Sequence, residues 1–330
     1  MAGETAISRT YNLLETATDP SRLKGLWDVI STNVPTIHHF MDEEAVQEAP
    51  GDRFRFSVLK ELPQVTGAGA TQDIEPGYIN PWTVAEYGFK FIWVPVAIPN
   101  QHIILNQGPN AHFDIVKGTM ESMIIAMIES LGGSTRGIWT AGSNDETEQT
   151  KLTGLPSLIK SVSGANTTGT TGTISRTNAF WQNQIGTAIS SFATNGKSRY
   201  QSTILACKRG SDFPDLGVTN RTQFNNYLNI FSATLQMHQP VSGERFDVGV
   251  PNVELFGIKM FFDANAPADE CRFINTDYLQ LLLLENDYMA FDPVMADTKK
   301  ADTIVRLRFT GNLFARWLGC HGVVSGGDTA

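Results

Sequence analysis

The stretch Ser157-Leu158-Ile159-Lys160 has the residue types and spacing of a nucleophile motif. In penicillin-recognising enzymes, S-x-x-K supplies the serine nucleophile and a separate K-T-G sequence completes the site. This chain contains no K-T-G sequence. Because a pattern with two fixed positions is common by chance, we expect Ser157 and Lys160 to have a structural role.

Two pairs of adjacent residues, His38-His39 and Cys320-His321, are the candidate metal ligands. A structural zinc site uses four ligands, which usually come in pairs spaced as in C-x-x-C or H-x-x-x-H. Neither spacing occurs in this sequence. We therefore expect no metal and no cofactor.

The remaining groups that could do chemistry have simpler explanations. The adjacent carboxylates of Asp269-Glu270 and of Asp42–Glu44 are typical of solvated faces. The segment Gly164–Gly172 lacks the lysine and the helix start of a phosphate-binding loop, so we expect a flexible loop. The G-x-S-x-G, H-E-x-x-H and Walker A motifs are absent. The sequence predicts no catalytic residues and no enzyme.

The composition excludes several classes of protein. The chain has 330 residues and a formal net charge of −9, so it lacks the basic excess with which general nucleic-acid binders neutralise phosphates. Its apolar runs, such as Phe91–Ile98, are too short to span a membrane, and the N-terminal sequence MAGETAISRT has no signal-peptide pattern. Cys207, Cys271 and Cys320 are odd in number and far apart, which indicates a reducing, cytoplasm-like compartment without a disulfide framework.

The longest predicted helix runs from Asn110 to Leu131 and is followed by Gly132-Gly133. Asn110 is a candidate N-cap, and the Gly-Gly pair predicts a left-handed C-cap. Apolar residues recur at steps of three, four and seven, the spacing of one helical face. They are Phe113, Val116, Met120, Met123, Ile124, Met127, Ile128 and Leu131. The pattern fits a core helix of a mixed domain, or a spine between two lobes.

Strand patterns precede this helix. Alternation predicts a strand through Phe54, Phe56 and Val58, with residues 89–96 as its pairing partner. The intervening stretch Pro63–Gly88 is rich in Gly and Pro, so we expect two long strands that project a glycine-rich loop. A two-stranded hairpin is only marginally stable by itself, which predicts that this one lies on a partner.

The first fifty residues have the pattern of an arm. Leu23, Leu26, Trp27 and Ile30 predict one short amphipathic helix, and the surrounding sequence is polar and aperiodic. Such a segment cannot bury itself, so it is either loose or lies on a neighbouring molecule.

A loop-rich region, Gly137–Thr177, follows the long helix, and helix and strand patterns follow the loop. We predict helices at Ser198–Lys208 and Arg221–Met237, strands at Asp215–Asn220, Val253–Phe262, Arg272–Asn275, Leu279–Leu284 and Thr303–Phe309, and an exposed loop at Pro293–Lys300.

Taken in order, these stretches resemble the major capsid proteins of tailed bacteriophages, which have the Hong Kong 97-like fold. The resemblance spans nearly the whole chain. It is carried by NVPTIHHFMDEEAVQEAPGDRFRFSVL, VAEYGFKFIWVPVAI with the long helix after it, TGLPSLI followed by TNAFWQNQ, the helix–PDLGVTN–helix block, VELFGIKMFFDANAPADECRFINTDYLQLL, and ADTIVRLRFTGNLFARWLGCHGVV.

The resemblance implies an α+β fold with five parts. They are an N-terminal arm (1–52), an extended β-hairpin loop with its flanking strands (53–105), the long spine helix of a peripheral domain (106–136), a mainly axial domain (137–275), and strands that return to the peripheral domain before a C-terminal segment (276–330). The extended loop would lie over an adjacent subunit, and the axial domain would meet its copies around five- and six-fold axes.

The resemblance also implies contacts with a neighbouring subunit along the extended loop, at Lys60, Gly67, Gly69, Asn80, Trp82 and Lys90. Hinges at Gly88, Gly132 and Gly133 would let one subunit fit both kinds of ring. Some relatives join a loop lysine covalently to an asparagine of a neighbour. No carboxylate catalyst for that reaction can be assigned here.

The function implied is that of a shell that encloses double-stranded DNA without sequence-specific binding, in a virion assembled in the host bacterial cytoplasm. The implied partners are the chain itself, in hexamers and pentamers, with a portal, decoration proteins and no membrane. A separate scaffolding protein is expected because no long helical segment precedes the arm. The acidic balance predicts an inner surface that repels phosphate. An encapsulin-like compartment shell and an α+β enzyme with a deep pocket stay open as alternatives.

Overall fold

The computed structural model describes residues 34–42, 44–63, 65, 79–101, 115–142, 148–232, 253–285, 289–293, 295–296 and 302–326. The helices are α1 (Pro35–Asp42), α2 (Ile115–Gly132), α3 (Leu155–Leu158), α4 (Ser163–Asn166), α5 (Lys197–Cys207) and α6 (Arg221–Ser232). The strands are β1 (Val46–Ala49), β2 (Arg53–Leu59), β3 (Trp82–Gly88), β4 (Lys90–Pro99), β5 (Thr170–Thr171), β6 (Ile174–Ser175), β7 (Gln184–Ile185), β8 (Leu216–Thr219), β9 (Val253–Leu255), β10 (Ile258–Phe262), β11 (Glu270–Ile274), β12 (Leu279–Leu284), β13 (Met289–Phe291), β14 (Met295–Ala296), β15 (Asp302–Ala315) and β16 (Gly322–Ser325).

The first sheet is organised by β15, which is 14 residues long. Its order is β1-β12-β15-β13, and β4 and β14 also pair with β15. Antiparallel pairing with β4 runs from Asp302 opposite Pro99 to Gly311 opposite Lys90. The alternate residues Val305, Leu307 and Phe309 are buried, as expected for a strand with one face on the core. This sheet and α2 share one hydrophobic core.

The second sheet has the order β7-β16-β11-β8-β10-β9 and a core of its own. Helices α5 and α6 contribute Tyr200 and Tyr227 to that core, where the Tyr200 ring meets Phe273 of β11 edge-on at 5.4 Å between centroids. Edge-to-face packing is a favoured geometry for aromatic pairs.

A buried polar joint connects the second sheet with α1 and the segment after α2. The carboxylate of Asp263, which follows β10, accepts hydrogen bonds from Thr36 Oγ1 in α1 and, at 2.9 Å, from Trp139 Nε1 after α2. The His39 ring lies 4.0 Å from the Phe261 ring, measured between centroids. Buried polar groups are costly unless they are hydrogen-bonded, so these partners fix how the two sheets meet.

The predicted spine helix is confirmed as α2 over its described length. Met123, Met127 and Leu131 of the predicted apolar face are buried, whereas Glu121 and Glu129 are exposed. The positions Asn110 to Asp114 lie outside the described residues. No helix of the described segments combines the length and the apolar composition that a membrane span requires.

The predicted left-handed cap at Gly132-Gly133 is wrong, because neither glycine has a positive φ. A Cβ atom on Gly132 would lie 3.3 Å from the Val34 methyl groups, and one on Gly133 would lie 2.9 Å from the carbonyl oxygen of Glu129. These short distances to neighbouring atoms, and not a left-handed backbone conformation, therefore explain why the two positions hold glycine.

Residues 34–49 pack one side of α1 and of β1 on the rest of the subunit. Val34, Ile37 and Phe40 are buried, and β1 pairs in parallel with β12, with Val46 opposite Leu281. The expectation that this segment cannot bury itself is therefore wrong for residues 34–49. The predicted amphipathic helix from Leu23 to Ile30 lies outside the described residues.

The predicted pairing partner of β2 is also wrong. The strand that pairs with β2 is β3, with Arg53 opposite Gly88 and Leu59 opposite Trp82. Of the predicted partner, residues 90–96 belong to β4 and pair with β15 instead. The last seven residues of the predicted loop Pro63–Gly88 therefore form a strand.

Of the other sequence predictions, some are confirmed and some are wrong. Helices α5 and α6 are confirmed over their described lengths, and so are the strands at β8, β11, β12 and β15. The predicted single strand Val253–Phe262 is instead two strands, joined by a turn at Phe256-Gly257. The predicted loop Gly137–Thr177 contains α3, α4 and the β5–β6 hairpin, and its Leu155, Leu158 and Ile159 are buried in the first core. Within the predicted loop Pro293–Lys300, Met295–Ala296 pairs with β15.

Two buried histidines predict that the subunit loses stability in mild acid. Burial lowers the pKa of His39 and of His321 to about 3 in the folded protein, from an ordinary value near 6.5. As pH falls below 6.5 the unfolded chain binds protons that the folded chain does not, so folding free energy present above pH 6.5 is lost. At pH 5 the loss should be about 2 kcal/mol for each histidine.

Urea unfolding of unassembled subunits between pH 7.5 and 5 tests this prediction. In His39→Phe, which keeps a ring against Phe261, the slope of the unfolding free energy with pH should fall to about half that of the wild type. An unchanged slope would contradict the assignment, whatever the absolute stability of the variant.

Candidate functional site

The serine and lysine of the S-x-x-K sequence are structural. The hydroxyl group of Ser157 donates to the carbonyl oxygen of Ala141 at 3.0 Å. The backbone N–H of Lys160 donates to Asn183 Oδ1 at 2.9 Å, and burial lowers the pKa of the Lys160 amine. Both residues lie in the packed region between α3 and β7, so this stretch does not form a nucleophile site.

The predicted metal-ligand pairs are core residues. His39 packs on Phe261, and His321 Nδ1 accepts a hydrogen bond from the backbone N–H of Asn275 at 3.2 Å. Within the described ranges, no three His, Cys, Asp or Glu side chains come together as a metal site would require. Burial also raises the pKa of the Cys207 and Cys271 thiols to about 12, so both are poor nucleophiles at neutral pH.

The adjacent carboxylates do not form an acid–base pair. Glu270 makes a salt bridge with the buried guanidinium of Arg272, so it is not on the solvated face predicted for it. Glu44 is exposed, and the side chains of Asp42 and Glu43 lie outside the described residues. None of these placements supports general acid–base chemistry.

The feature that stands out from the body is the hairpin of β2 and β3. Within the described residues it is a separate two-stranded sheet. At its base, Glu86 accepts hydrogen bonds from Arg53 and, at 2.8 Å, from Arg55 Nε. These two guanidinium groups hold the pKa of Glu86 below its ordinary value. The three side chains link the two strands near the point where they leave the body.

An aromatic cluster anchors the hairpin base to β15. The ring of Phe54 lies 4.8 Å from that of Phe314, and the ring of Phe56 stacks on that of Tyr87 with centroids 6.2 Å apart. Tyr87 is fully buried, and its hydroxyl group donates to the carbonyl oxygen of Ala315 at 3.3 Å. The hairpin base is therefore part of the first core.

The turn between β5 and β6 covers the other side of β3. The backbone N–H of Glu86 donates to the carbonyl oxygen of Gly172 at 3.0 Å. Gly172 has a φ of +58°, and a Cβ atom there would lie 2.7 Å from the Tyr87 ring. Only glycine fits both the conformation and the space.

Arg176 fixes the position of the β5–β6 turn through hydrogen bonds. Its guanidinium group is fully buried and donates to Thr171 Oγ1 at 2.8 Å, to Asn166 Oδ1 at 2.7 Å and to Asn183 Oδ1 at 3.2 Å. It also donates to the carbonyl oxygen of Leu158. Burial lowers the pKa of Arg176 to about 10, so the group remains charged at neutral pH. One cation thus ties together α3, α4 and the β5–β6 hairpin.

Away from its base the hairpin exposes apolar side chains. Trp82 is 56% exposed, Leu62 is 69% exposed and Val65 is 95% exposed. Leu59, Leu62 and Trp82 border a groove of about 670 Å³ whose far wall includes Arg209 and Trp317. Exposed apolar surface concentrated on a projecting element marks an interaction site. This surface, the hairpin face, is the candidate functional site.

The residues predicted as contacts are distributed unevenly. Lys60 and Trp82 lie on the hairpin face, and Asn80 is exposed beside it. Gly67 and Gly69 are outside the described residues. Lys90 is only 1% exposed and donates to the carbonyl oxygen of Glu148 at 2.8 Å, so it lies inside the body and not on a contact surface.

The predicted hinge residues all have negative φ angles. Gly88 is the last residue of β3, and a Cβ atom there would have no atom within 4 Å. Gly132 and Gly133 are closely packed, as described above. A hinge role for these three glycines stays a prediction.

Sequence reasoning missed Tyr87 and Arg176, which hold the site. Tyr87 falls within the predicted loop Pro63–Gly88. Its neighbours show the alternation of a strand, with Trp82, Val84 and Glu86 on one face and Tyr87 on the other. Arg176 follows a Gly- and Thr-rich stretch and gives no sequence signal of burial.

The structure is similar to solved structures from phage particles. One is the capsid asymmetric unit of cyanophage A-1(L), with a TM-score of 0.61, 16% identity, and coverage of 85% of this chain and 90% of that chain. Another comes from Mycobacterium phage Bobi, with a TM-score of 0.55, 10% identity, and coverage of 87% and 90%. The capsid of Myoviridae phage XM1 gives 0.53 and 8%, with coverage of 86% and 90%. No family model matches the sequence, and no curated protein does either. At these identities the similarity establishes the fold.

Replacing Gly172 tests how the hairpin base is held. Gly169→Ala is a matched control, because Gly169 also has a positive φ, of +80°, but has no atom near the position of a Cβ. The control should lose about 1–2 kcal/mol of unfolding free energy from backbone strain alone. Gly172→Ala should lose about 1–3 kcal/mol more, because the new methyl group meets the Tyr87 ring. Urea unfolding followed by tryptophan fluorescence measures both, and equal losses would contradict the described packing.

Proposed function

We propose, from the premise that this chain has the capsid fold of tailed phages, that it is the major capsid protein of a tailed double-stranded DNA phage. Copies of the chain assemble into an icosahedral shell that encloses the genome, and the protein resides in the virion. The observation that carries the proposal is the similarity in fold over 85–87% of the chain. The chain has a structural role and no catalytic one.

The hairpin face supports this proposal physically. Its base is fixed by the aromatic cluster and by the Arg53–Glu86–Arg55 bridges, whereas its outer residues Leu62 and Trp82 are more than half exposed. A neighbouring copy would cover them. Shells close through heterologous contacts of this kind, in which different surfaces of identical copies meet. Many modest contacts of one type then produce a durable container.

The parts of the subunit take the roles that follow from the fold. The β2–β3 hairpin is the extended loop that lies over an adjacent subunit. The sheet of β15, together with α2 as its spine, is the peripheral domain, and the second sheet with α5 and α6 is the axial domain. The second core supports this assignment, because it joins residues of α5 and α6, such as Tyr200 and Tyr227, to residues of the second sheet, such as Phe273. Hexamers and pentamers form around the axial domains.

Further partners follow from the same role. They are a separate scaffolding protein, a portal and decoration proteins, with assembly in the host bacterial cytoplasm. The formal net charge of −9 supports an inner surface that does not bind the packaged DNA tightly.

An encapsulin-like compartment shell is the second candidate, because a closed shell is also compatible with the exposed hairpin face. An α+β enzyme has less support, because Asp212 and Tyr278 in the groove beside the hairpin are hydrogen-bonded to each other, and the described residues contain no metal-binding cluster.

Assembly of the purified chain tests the proposal. We expect particles of megadalton size by size-exclusion chromatography and closed shells by electron microscopy when the chain is co-expressed with the gene products encoded beside it. A small oligomer under all such conditions would contradict a shell. Uniform, correctly sized shells from the chain alone would remove the need for a scaffolding protein, and particles filled with protein instead of DNA would favour the compartment.

Trp82 provides a residue-level test of the hairpin face. Because the side chain is 56% exposed, Trp82→Ser should leave the unfolding free energy of the subunit within about 0.5 kcal/mol of the wild type. Assembly should require about tenfold more protein or fail, since an aromatic anchor at an interface contributes more than 1 kcal/mol. Trp82→Phe should restore most of the assembly. Light scattering against protein concentration measures the effect, and assembly of Trp82→Ser at the wild-type concentration would contradict the contact.

A further inference from the structure

The turn between β9 and β10 contains a residue that its own conformation disfavours. Leu255 pairs with Ile258 across a loop of two residues, Phe256 and Gly257, whose φ angles are +54° and +80°. A two-residue hairpin loop with both φ angles positive is the type I′ turn, which favours Asn-Gly or Asp-Gly. A bulky residue at a positive φ is strained. The backbone conformation at position 256 is therefore unfavourable for phenylalanine.

The fold of the subunit does not offset this strain by burying the side chain. Phe256 is 51% exposed, whereas its neighbours Leu255 and Ile258 are buried. An aromatic ring left in water is unfavourable in addition to the backbone strain. Strained residues of this kind cluster where a protein makes functional contacts, and aromatic residues dominate the binding energy of interfaces. The two costs together indicate that the ring is kept for a contact outside the subunit.

The position of the turn shows where such a contact can form. Strand β9 is the last strand in the order of the second sheet, and β7 is the first. The sheet contributes residues to both cores, with Leu216, Phe261 and Ile274 in the first and Leu255 and Ile258 in the second. In the proposed function this sheet belongs to the axial domain, and the turn lies at its β9 edge, which no described strand covers.

We propose that Phe256 is the aromatic anchor of a contact between neighbouring copies of this chain within one ring of the assembly. This inference rests on the proposed function and deepens it. A ring of five or six copies is built from heterologous contacts, so Phe256 of one copy meets a different surface of the next copy. The hairpin face and the Phe256 turn then make separate contacts, one from each of the two cores.

A photo-reactive phenylalanine at position 256 tests the contact directly. p-Benzoyl-phenylalanine in place of Phe256 should give covalent dimers on illumination of assembled particles and none in unassembled subunits. Peptide mapping should find the crosslink to a peptide other than the one that contains position 256. A crosslink between two copies of that peptide would overturn the ring contact, and so would the absence of any crosslink in assembled particles.

Two substitutions separate the aromatic contact from the backbone strain. Phe256→Asn suits the turn, so the melting temperature of the subunit should be unchanged or higher, while assembly should need about 10- to 30-fold more protein. The control is Glu44→Asn, because Glu44 is exposed and has a φ of +53°, so this change relieves similar strain without removing an aromatic ring. The control should assemble at the wild-type concentration.

The outcomes of these experiments distinguish a failure of the Phe256 contact from a failure of the proposed shell function. If the wild type assembles and Phe256→Asn assembles equally well, the contact at Phe256 is refuted and the shell proposal stands. If the wild type forms no particles with its neighbouring gene products, the shell proposal fails, and the inference fails with it.

Discussion

The constraint on which the rest of the structure depends is that a two-stranded hairpin cannot stabilise itself in water. At one end the β2–β3 hairpin is stabilised by the first core, where Tyr87 and Phe314 bury the hairpin base. The long strand β15 makes this possible, because it carries Phe314 and also pairs with β4 and β12. At the other end the apolar side chains stay exposed. In the proposed shell, another copy covers them.

The polar contacts of the interior serve the same purpose of fixing geometry. Asp263 binds Thr36 and Trp139 where the second sheet meets α1 and the segment after α2, and Arg176 ties α3, α4 and the β5–β6 turn beside the hairpin. Buried charges add little net stability, but loss of a partner is strongly destabilising. Such groups hold these elements and the hairpin in one relative arrangement, as the proposed shell would require of every copy.

The sequence predicted the elements that follow local periodicity and missed those that long-range contacts decide. The apolar face of α2 and the strand β12 could be read from spacing alone. The pairing of β2 could not, because residues 82–88 and 89–96 both alternate, and β15, more than 200 residues later, takes the second of them. Arg176 was missed because its acceptors are neutral oxygens scattered over α3, α4 and β5. The hairpin was predicted as a contact element, but Lys90 was assigned to its surface although it is buried.

Hydrogen exchange of free subunits and of assembled particles tests the central claim most directly. Because the base of the β2–β3 hairpin lies in the first core, the amides around Phe54 and Tyr87 should be protected in both states. The amides of Leu59, Glu61, Leu62 and Trp82 should exchange rapidly in free subunits and become protected only in particles. Equal protection of these outer amides in free monomeric subunits would show that the hairpin is stabilised by its own chain, and would contradict the account.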